Sequence, residues 1–168
     1  VTTDTPQSGE GMVTITDAFG REVTIPENPE KIAVVGSGSM RYFMYLGLDT
    51  DMFVAVDAQD GRLYSYSFEQ RPYALAHPEL KEKQAVGPTK GVVDNEKLLM
   101  SGAEVLFMGG STSSNAEVAN EIQEKTGIPV VMFYVGNYVT DSEEIQDSLL
   151  MLGEILGKEQ RAKDLIAY

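Results

Sequence analysis

The chain has 168 residues, and 13 Lys and Arg stand against 26 Asp and Glu, for a formal net charge of −13. This length fits one domain with a sizeable core, and the acidity argues against general nucleic-acid binding, which needs Lys and Arg along the phosphates. The absence of cysteine and the single histidine, His77, exclude disulfides, thiolate sites and a multi-histidine zinc site within this chain. No apolar run approaches the roughly 18 residues of a membrane span.

The first predicted element is a β-hairpin. The polar stretch 1–12 shows no hydrophobic periodicity and is predicted to be a flexible lead-in. Residues 13–16 and 22–25 alternate with period 2 around the turn sequence DAFG, and Pro26 ends the second strand.

Short continuous apolar runs follow, and they predict strands buried on both faces. These runs lie at 32–35, 53–56, 105–108 and 130–133, with a shorter one at 85–86.

The stretches between the runs carry helix signals. Ser39 is placed to cap a helix that ends at Gly47, and Asp94 or Asn95 is placed to cap a short one. Two later helices begin with a capping-box sequence: Ser114 with Glu117, in a helix ended by Gly127, and Thr140 with Glu143. The helix after Thr140 has an apolar stripe at Ile145, Leu149, Leu152 and Leu156.

This alternation predicts an α/β fold: a three-layer lobe with a mostly parallel sheet flanked by helices, preceded by an N-terminal β-hairpin. Ligands of such sheets bind at the carboxyl ends of the strands. The predicted site-forming loops therefore begin at Gly36, Asp57, Gly87, Gly109 and Tyr134.

The turn Gly36-Ser37-Gly38-Ser39-Met40-Arg41 is similar to the dinucleotide-binding fingerprint, and Asp57 stands where a ribose-binding acid could lie. Arg41, however, occupies the third glycine position, where close helix–strand packing demands no side chain. We interpret the turn as an anion-binding corner formed by the helix start and the guanidinium. A plain strand-to-helix turn and a nucleotide-dependent enzyme are the alternatives.

A series of motifs carries a resemblance to a known family. The segment TDAFGREVTIP at 16–26 and PEKIAV at 29–34 resemble the opening of substrate-binding proteins of iron–siderophore and cobalamin ABC importers. The resemblance continues in order to the last helices, with one departure, Gly102-Ala103-Glu104 in place of the family's Lys-Pro-Asp. The further matching pieces are YLGL at 45–48, VAVD at 54–57, VG at 86–87, NEKLL at 95–99, EVL at 104–106, GIPVV at 127–131 and LGEILGKEQRA at 152–162.

The family has two lobes joined by one long helix, so the resemblance implies an amino-terminal lobe. Residues 13–140 would form the ligand-binding lobe, and 141–168 the start of the connecting helix and the helix after it. The second lobe is expected to be missing, and an isolated lobe to bind weakly.

The implied function is that of an extracytoplasmic solute-binding protein, periplasmic or lipid-anchored, and not of an enzyme. It would capture a ferric-siderophore-type iron chelate and deliver it to a membrane permease, without a cofactor of its own. Haem or corrinoid binding is the alternative within the same fold.

Arg41 is the first candidate for a ligand contact, because ferric siderophores are often anionic and a guanidinium is a permanent planar donor; a surface salt bridge is the alternative. The segment 62–73 interleaves aromatic and cationic residues that could stack on a chelate, although Tyr64 and Phe68 could equally pack a helix onto the sheet. The candidate ligand-binding set is Ser39, Met40, Arg41, Asp57, Arg62, Tyr64, Thr89, Ser111, Tyr134 and Asn137.

Three further residues have competing interpretations. The lone His77 is not expected to be a metal ligand, because a site needs several ligands. Met40 matches the use of axial methionine by haem-binding relatives, or else fills a gap in the core. Glu96 matches the family position at which an acid docks onto the permease, or else is a charge favoured by the helix dipole.

Overall fold

The computed structural model describes residues 11–61, 71–87, 93–112 and 114–168. The candidate ligand contacts Arg62, Tyr64 and Thr89, and the capping role of Ser114, lie outside the described residues and side chains.

The described residues form a two-stranded hairpin and a five-stranded parallel sheet. The hairpin strands are β1 (Met12–Thr16) and β2 (Glu22–Pro26). The sheet strands are β3 (Ile32–Val35), β4 (Phe53–Asp57), β5 (Gln84–Gly87), β6 (Val105–Gly110) and β7 (Val130–Tyr134), in the spatial order β5-β4-β3-β6-β7. The predicted strands and the predicted fold class are confirmed.

Helices cover both faces of the sheet, which gives the predicted three layers. They are α1 (Met40–Tyr45), α2 (Pro72–Ala76), α3 (Asn95–Ser101), α4 (Ser114–Thr126), α5 (Ser142–Ile155) and α6 (Glu159–Ile166), with 3₁₀ turns at Thr50–Met52 and Pro78–Glu82. Within the described part of the chain, no helix is long and apolar enough to cross a membrane.

The core is divided by the sheet, because successive strand residues point to opposite faces. On one face, Phe43 of α1 makes edge contacts with Phe53, Phe107 and Phe133, at centroid distances of 6.0, 5.3 and 5.6 Å. On the other face, strand residues such as Leu106 pack against α3 and α4.

The last two helices pack into the first of these cores. Ile145, Leu152 and Ile155 of α5 and Ala162 of α6 belong to the same buried cluster as Phe43. The predicted apolar stripe of α5 therefore faces the sheet, and the described part of 141–168 continues the core of the lobe.

Several predicted helix ends are confirmed. Gly47 and Gly127 follow their helices with positive φ, at +71° and +70°, as expected for residues that stop a helix in the left-handed conformation. Asp94 caps α3, since its carboxylate accepts a hydrogen bond from the Lys97 amide at 3.1 Å.

Two predicted caps are wrong. Ser39 already has helical dihedrals, and its side chain makes no capping hydrogen bond. The Thr140 capping box is absent because the amides of Thr140 and Asp141 both donate to the Asn137 carbonyl. This tight turn delays the start of α5 to Ser142.

The hairpin is fixed to the edge of the sheet by Asp17, whose carboxylate is buried. Oδ1 accepts from the amides of Phe19 and Arg21, and Oδ2 accepts from Arg21 Nη1 and from the Met132 amide of β7. Arg21 also donates to the Val130 carbonyl at 2.8 Å. One carboxylate thus closes the turn of the hairpin and accepts a hydrogen bond from a backbone amide on the outer edge of β7.

Candidate functional site

The strand order creates a crevice between β3 and β6. After β3 the chain continues to β4 and β5 on one side, and it then returns to β6 and β7 on the other. The connections of β3 and β6 therefore leave in opposite directions. Open α/β sheets bind ligands outside the carboxyl ends of the strands at such a switch point.

Glycines allow the loops to approach closely at this point. A Cβ on Gly36 would lie 2.7 Å from the Gly109 carbonyl oxygen, and a Cβ on Gly109 would overlap the Ser39 hydroxyl and come within 2.7 Å of Val135. A Cβ on Gly38 would lie 3.8 Å from the same Val135. The loops after β3, β6 and β7 therefore converge along one rim, as the sequence predicts.

Asp57 holds two of these loops together. Its Oδ2 accepts from the Gly36 amide at 3.2 Å, and its Oδ1 accepts from the Gln59 amide at 3.0 Å. The residue is 2% exposed. This position gives Asp57 a role in positioning the Gly36 turn and leaves no accessible carboxylate for a ribose; direct ligand contact by Asp57 stays a prediction.

Arg41 is a half-buried cation on the first turn of α1. Its Cζ lies over the Tyr42 ring, 5.4 Å from the centroid, and a Cβ on Gly38 would be 3.9 Å away. Among the described residues, no carboxylate lies within ion-pair distance of Arg41. The salt bridge considered as an alternative for this residue is thus not formed with any of them.

Two buried hydroxyls flank Arg41 in the sequence. Ser39 Oγ and Tyr42 Oη are both buried, and the described residues offer neither of them an acceptor for its proton. Burial raises the pKa of Tyr42, and the Arg41 guanidinium beside it acts in the opposite direction, first as a donor toward the hydroxyl oxygen and then through its charge. The Tyr42 hydroxyl therefore keeps its proton at neutral pH and can donate a hydrogen bond.

Met40 is placed differently from the expectation of a ligand contact. It is fully buried in the core on the α1 side of the sheet. The helix directs this position inward, together with its neighbour Phe43, so the thioether fills the core and is not available on the rim in this conformation.

The other described candidates lie on the loops after β6 and β7. Ser111 is exposed. Tyr134 is half-buried and stacks on Phe19 with 6.4 Å between centroids; burial first, and the carboxylate of Asp141 second, raise its pKa. Asn137 is exposed, but its Oδ1 accepts from the Val139 amide at 3.0 Å. The structure places both loops on the same rim as Arg41, and contact with a ligand stays a prediction for each of the three residues.

A buried ionic cluster after β4 was not foreseen. Asp60 Oδ1 accepts from Arg71 Nη1 and from the Tyr73 hydroxyl, both at 2.9 Å, and Arg71 Nη2 donates to the Gln59 carbonyl. Burial is the largest cause of a rise in the pKa of Asp60 to about 6, against the opposing effects of Tyr73 and Arg71. The only signal in the sequence was the polar run DAQDG directly after a buried strand.

Glu96 and His77 lie outside the crevice. Glu96 is exposed at the start of α3, and the hydrogen bond from the Asp94 amide to the Val86 carbonyl keeps this helix start near the carboxyl edge of β5. His77 Nδ1 lies 3.2 Å from Glu79 Oε1. In the described ranges, no group of three or more His, Asp or Glu residues could hold a metal ion.

The sequence matches no protein-family model and no curated protein. Solved structures do match. Those similar to this chain include the molybdate periplasmic binding protein MolA of Haemophilus influenzae, bound to molybdate (23% identity, TM-score 0.69, 92% of this chain and 49% of that chain). A second is a periplasmic solute-binding protein of Veillonella parvula (22% identity, TM-score 0.75, 94% of this chain and 44% of that chain). A third is the petrobactin-binding protein YclQ of Bacillus subtilis (21% identity, TM-score 0.65, 93% of this chain and 49% of that chain).

These matches show the fold. The chain has the architecture of solute-binding proteins, so the resemblance found in the sequence is confirmed at the level of the fold. It spans about half the length of the structures it matches.

Proposed function

We propose that the chain is the ligand-binding amino-terminal lobe of an ABC importer's extracytoplasmic solute-binding protein, and that its ligand is an anionic ferric-siderophore-type chelate. The fold shared with binding proteins supports the class of function. A siderophore-binding protein, BauB, bound to acinetobactin and ferric iron, has the same fold with 16% identity and a TM-score of 0.66.

One observation carries the choice of an anionic ligand. Arg41 lies at the switch point of the sheet without a carboxylate partner among the described residues, in a chain whose net charge is −13. Acidic side chains are thus plentiful, yet none of the described ones neutralises this cation. An anionic chelate with coordinating oxygens provides the missing partner.

The alternatives are less well supported. Haem ligation by Met40 conflicts with its complete burial, so the alternative is a corrinoid, or a haem held without this ligand. A nucleotide-dependent enzyme requires a ribose-binding acid, and the carboxylate of Asp57 is buried and already bonded to backbone amides.

Delivery to a permease is part of the same proposal. Glu96 is exposed near the carboxyl edge of the sheet, where it is available to a cation of a membrane partner. A location outside the cytoplasm, periplasmic or lipid-anchored, follows from the same proposal, because the matched proteins named above as periplasmic work there.

The experiment is a titration followed by tyrosine fluorescence, which suits a chain with 8 Tyr and no Trp. The probes are a ferric tris-catecholate, a ferric hydroxamate, haem, cobalamin and NAD. Each is titrated up to about 1 mM, so that even a dissociation constant of this size, which corresponds to about 4 kcal/mol of binding free energy, is detected. We expect one of the ferric chelates to bind and Arg41→Gln to weaken it about 10-fold or more, as for a lost charge-assisted hydrogen bond.

Lys125→Gln is the matched control, because it removes one positive charge from an exposed position in the last turn of α4. If Lys125→Gln and Arg41→Gln weakened binding equally, the loss of affinity would reflect only the net charge of the chain and not a contact with Arg41. Failure of the unaltered chain to bind any ferric chelate, or binding of NAD alone, would contradict the proposed function.

A further inference from the structure

The corner around Arg41 contains a second donor that is not satisfied in the ligand-free structure. The Tyr42 hydroxyl is buried, and no described atom accepts its proton. Its ring packs edge-on against Phe133 with 5.4 Å between centroids. The ring is thus fixed by the core while its polar end is left without an acceptor.

Leaving a buried hydroxyl unpaired is unfavourable by the desolvation of that group. If this position had only a structural role, Phe would suit it better than Tyr, because Phe offers the same ring without the polar atom. Buried polar groups without partners in native proteins call for a specific explanation. The position of Tyr42 beside the unpaired guanidinium of Arg41 suggests one.

We infer that Tyr42 is a ligand-binding residue, and that its hydroxyl and the Arg41 guanidinium donate together to one anionic oxygen of the ligand. This inference rests on the proposed function, since it specifies the chemistry of the same site. The preferred ligand group is an oxygen that accepts and does not donate, such as the deprotonated oxygen of a ferric chelate or an oxyanion such as molybdate.

The surroundings are compatible with this role. Burial keeps the Tyr42 hydroxyl protonated at neutral pH, so it can donate. The carboxylates of Asp141 and Glu144 act on the pKa of Tyr134, on the same rim, and neither forms an ion pair with Arg41. Arg41 itself is half exposed, lies against the Tyr42 ring and acts on the pKa of its hydroxyl, so the hydroxyl lies on the side of a guanidinium that reaches the surface.

The test uses Tyr42→Phe in the 168-residue chain, with Tyr45→Phe as the matched control. Tyr45 belongs to the same helix but is 45% exposed. Titrations with a ferric tris-catecholate and with molybdate distinguish a chelate from a free oxyanion as the source of the oxygen. We expect Tyr42→Phe to weaken whichever probe binds by roughly 10- to 100-fold, and Tyr45→Phe to leave binding unchanged.

The stability of the ligand-free chain gives a second readout. Because the hydroxyl has no partner, Tyr42→Phe should unfold within about 2 °C of the unaltered chain, or above it. In the double variant Arg41→Gln/Tyr42→Phe, the loss of affinity should be smaller than the product of the single losses, as expected for two donors to one oxygen.

The outcomes separate the two proposals. Tight binding that Tyr42→Phe does not alter, or clear destabilisation of the ligand-free chain by Tyr42→Phe, overturns this inference and leaves the proposed function intact. Absence of binding of both ferric chelates and of molybdate to the unaltered chain overturns both. Selective loss of binding with unchanged stability supports the inference.

Discussion

Replacing Asp17 with Ala should cause a large loss of stability, because one carboxylate serves three backbone amides and a guanidinium. The variant leaves the Met132 amide without its acceptor on the edge of β7, and it also removes the ion-pair partner of Arg21, whose side chain is 12% exposed. Breaking a buried ion pair costs about 3–5 kcal/mol. The amides of Phe19 and Arg21 lie nearer to solvent, so rehydration limits their contribution.

The assay is urea and thermal unfolding followed by circular dichroism. For a chain of this size, the loss corresponds to a decrease in Tm of about 10 °C. Asp49→Ala is the matched control: its carboxylate caps a 3₁₀ turn through one exposed amide, that of Asp51, and should be worth about 1 kcal/mol. If Asp17→Ala were no more destabilised than Asp49→Ala, the hairpin would not depend on this carboxylate.

Two more predictions concern the rim. The pKa of Asp60 is raised from 3.8 to about 6, so the folded state binds this proton more tightly than the unfolded state. The resulting stabilisation is complete below pH 3.8 and decreases by about 3 kcal/mol as the pH rises to about 6. Asp60→Asn should therefore flatten the pH profile of urea midpoints between pH 4 and 6, and an unchanged slope would assign the dependence to other groups. Gly109→Ala would push a Cβ into Ser39 and Val135 and should lower the free energy of unfolding by about 1–3 kcal/mol. A second substitution, Ser39→Ala, should restore part of this loss. A Gly109→Ala chain as stable as the original in thermal unfolding would show that the loops do not touch.

The strands and the hairpin could be predicted because their signals are local. Four-residue apolar runs bounded by turn signals favour strands covered on both faces, and the period-2 alternation around DAFG favours a hairpin, whose second strand buries alternate residues. The carboxyl-edge location of the loops then follows from the parallel connections. The sequence did not predict the order of the strands, since the neighbours of β3 depend on which way each crossover leaves the sheet.

The interactions that were missed connect residues distant in sequence or depend on competing local bonds. Asp17 and Met132 are 115 positions apart, so no pattern near Asp17 reveals its role beyond the turn. Thr140 has the spacing of a capping box, but the Asn137 carbonyl attracts two following amides and starts a different turn. Met40 and Arg41 are neighbours in one loop signal, and the helix turns the first into the core and the second to the rim.

The contrast between Asp57 and Arg41 explains why the rim is suited to binding and how its chemistry is divided. The Asp57 carboxylate accepts hydrogen bonds from the amides of Gly36 and Gln59 and fixes the loops in place, so these polar groups are already used. Arg41 and the Tyr42 hydroxyl, a few residues further on, have no such partners among the described residues. A rigid loop that presents unused donors loses little entropy when a ligand binds. Affinity for an anion should therefore depend on these two side chains, and substitutions at Asp57 should act through the position of the loop.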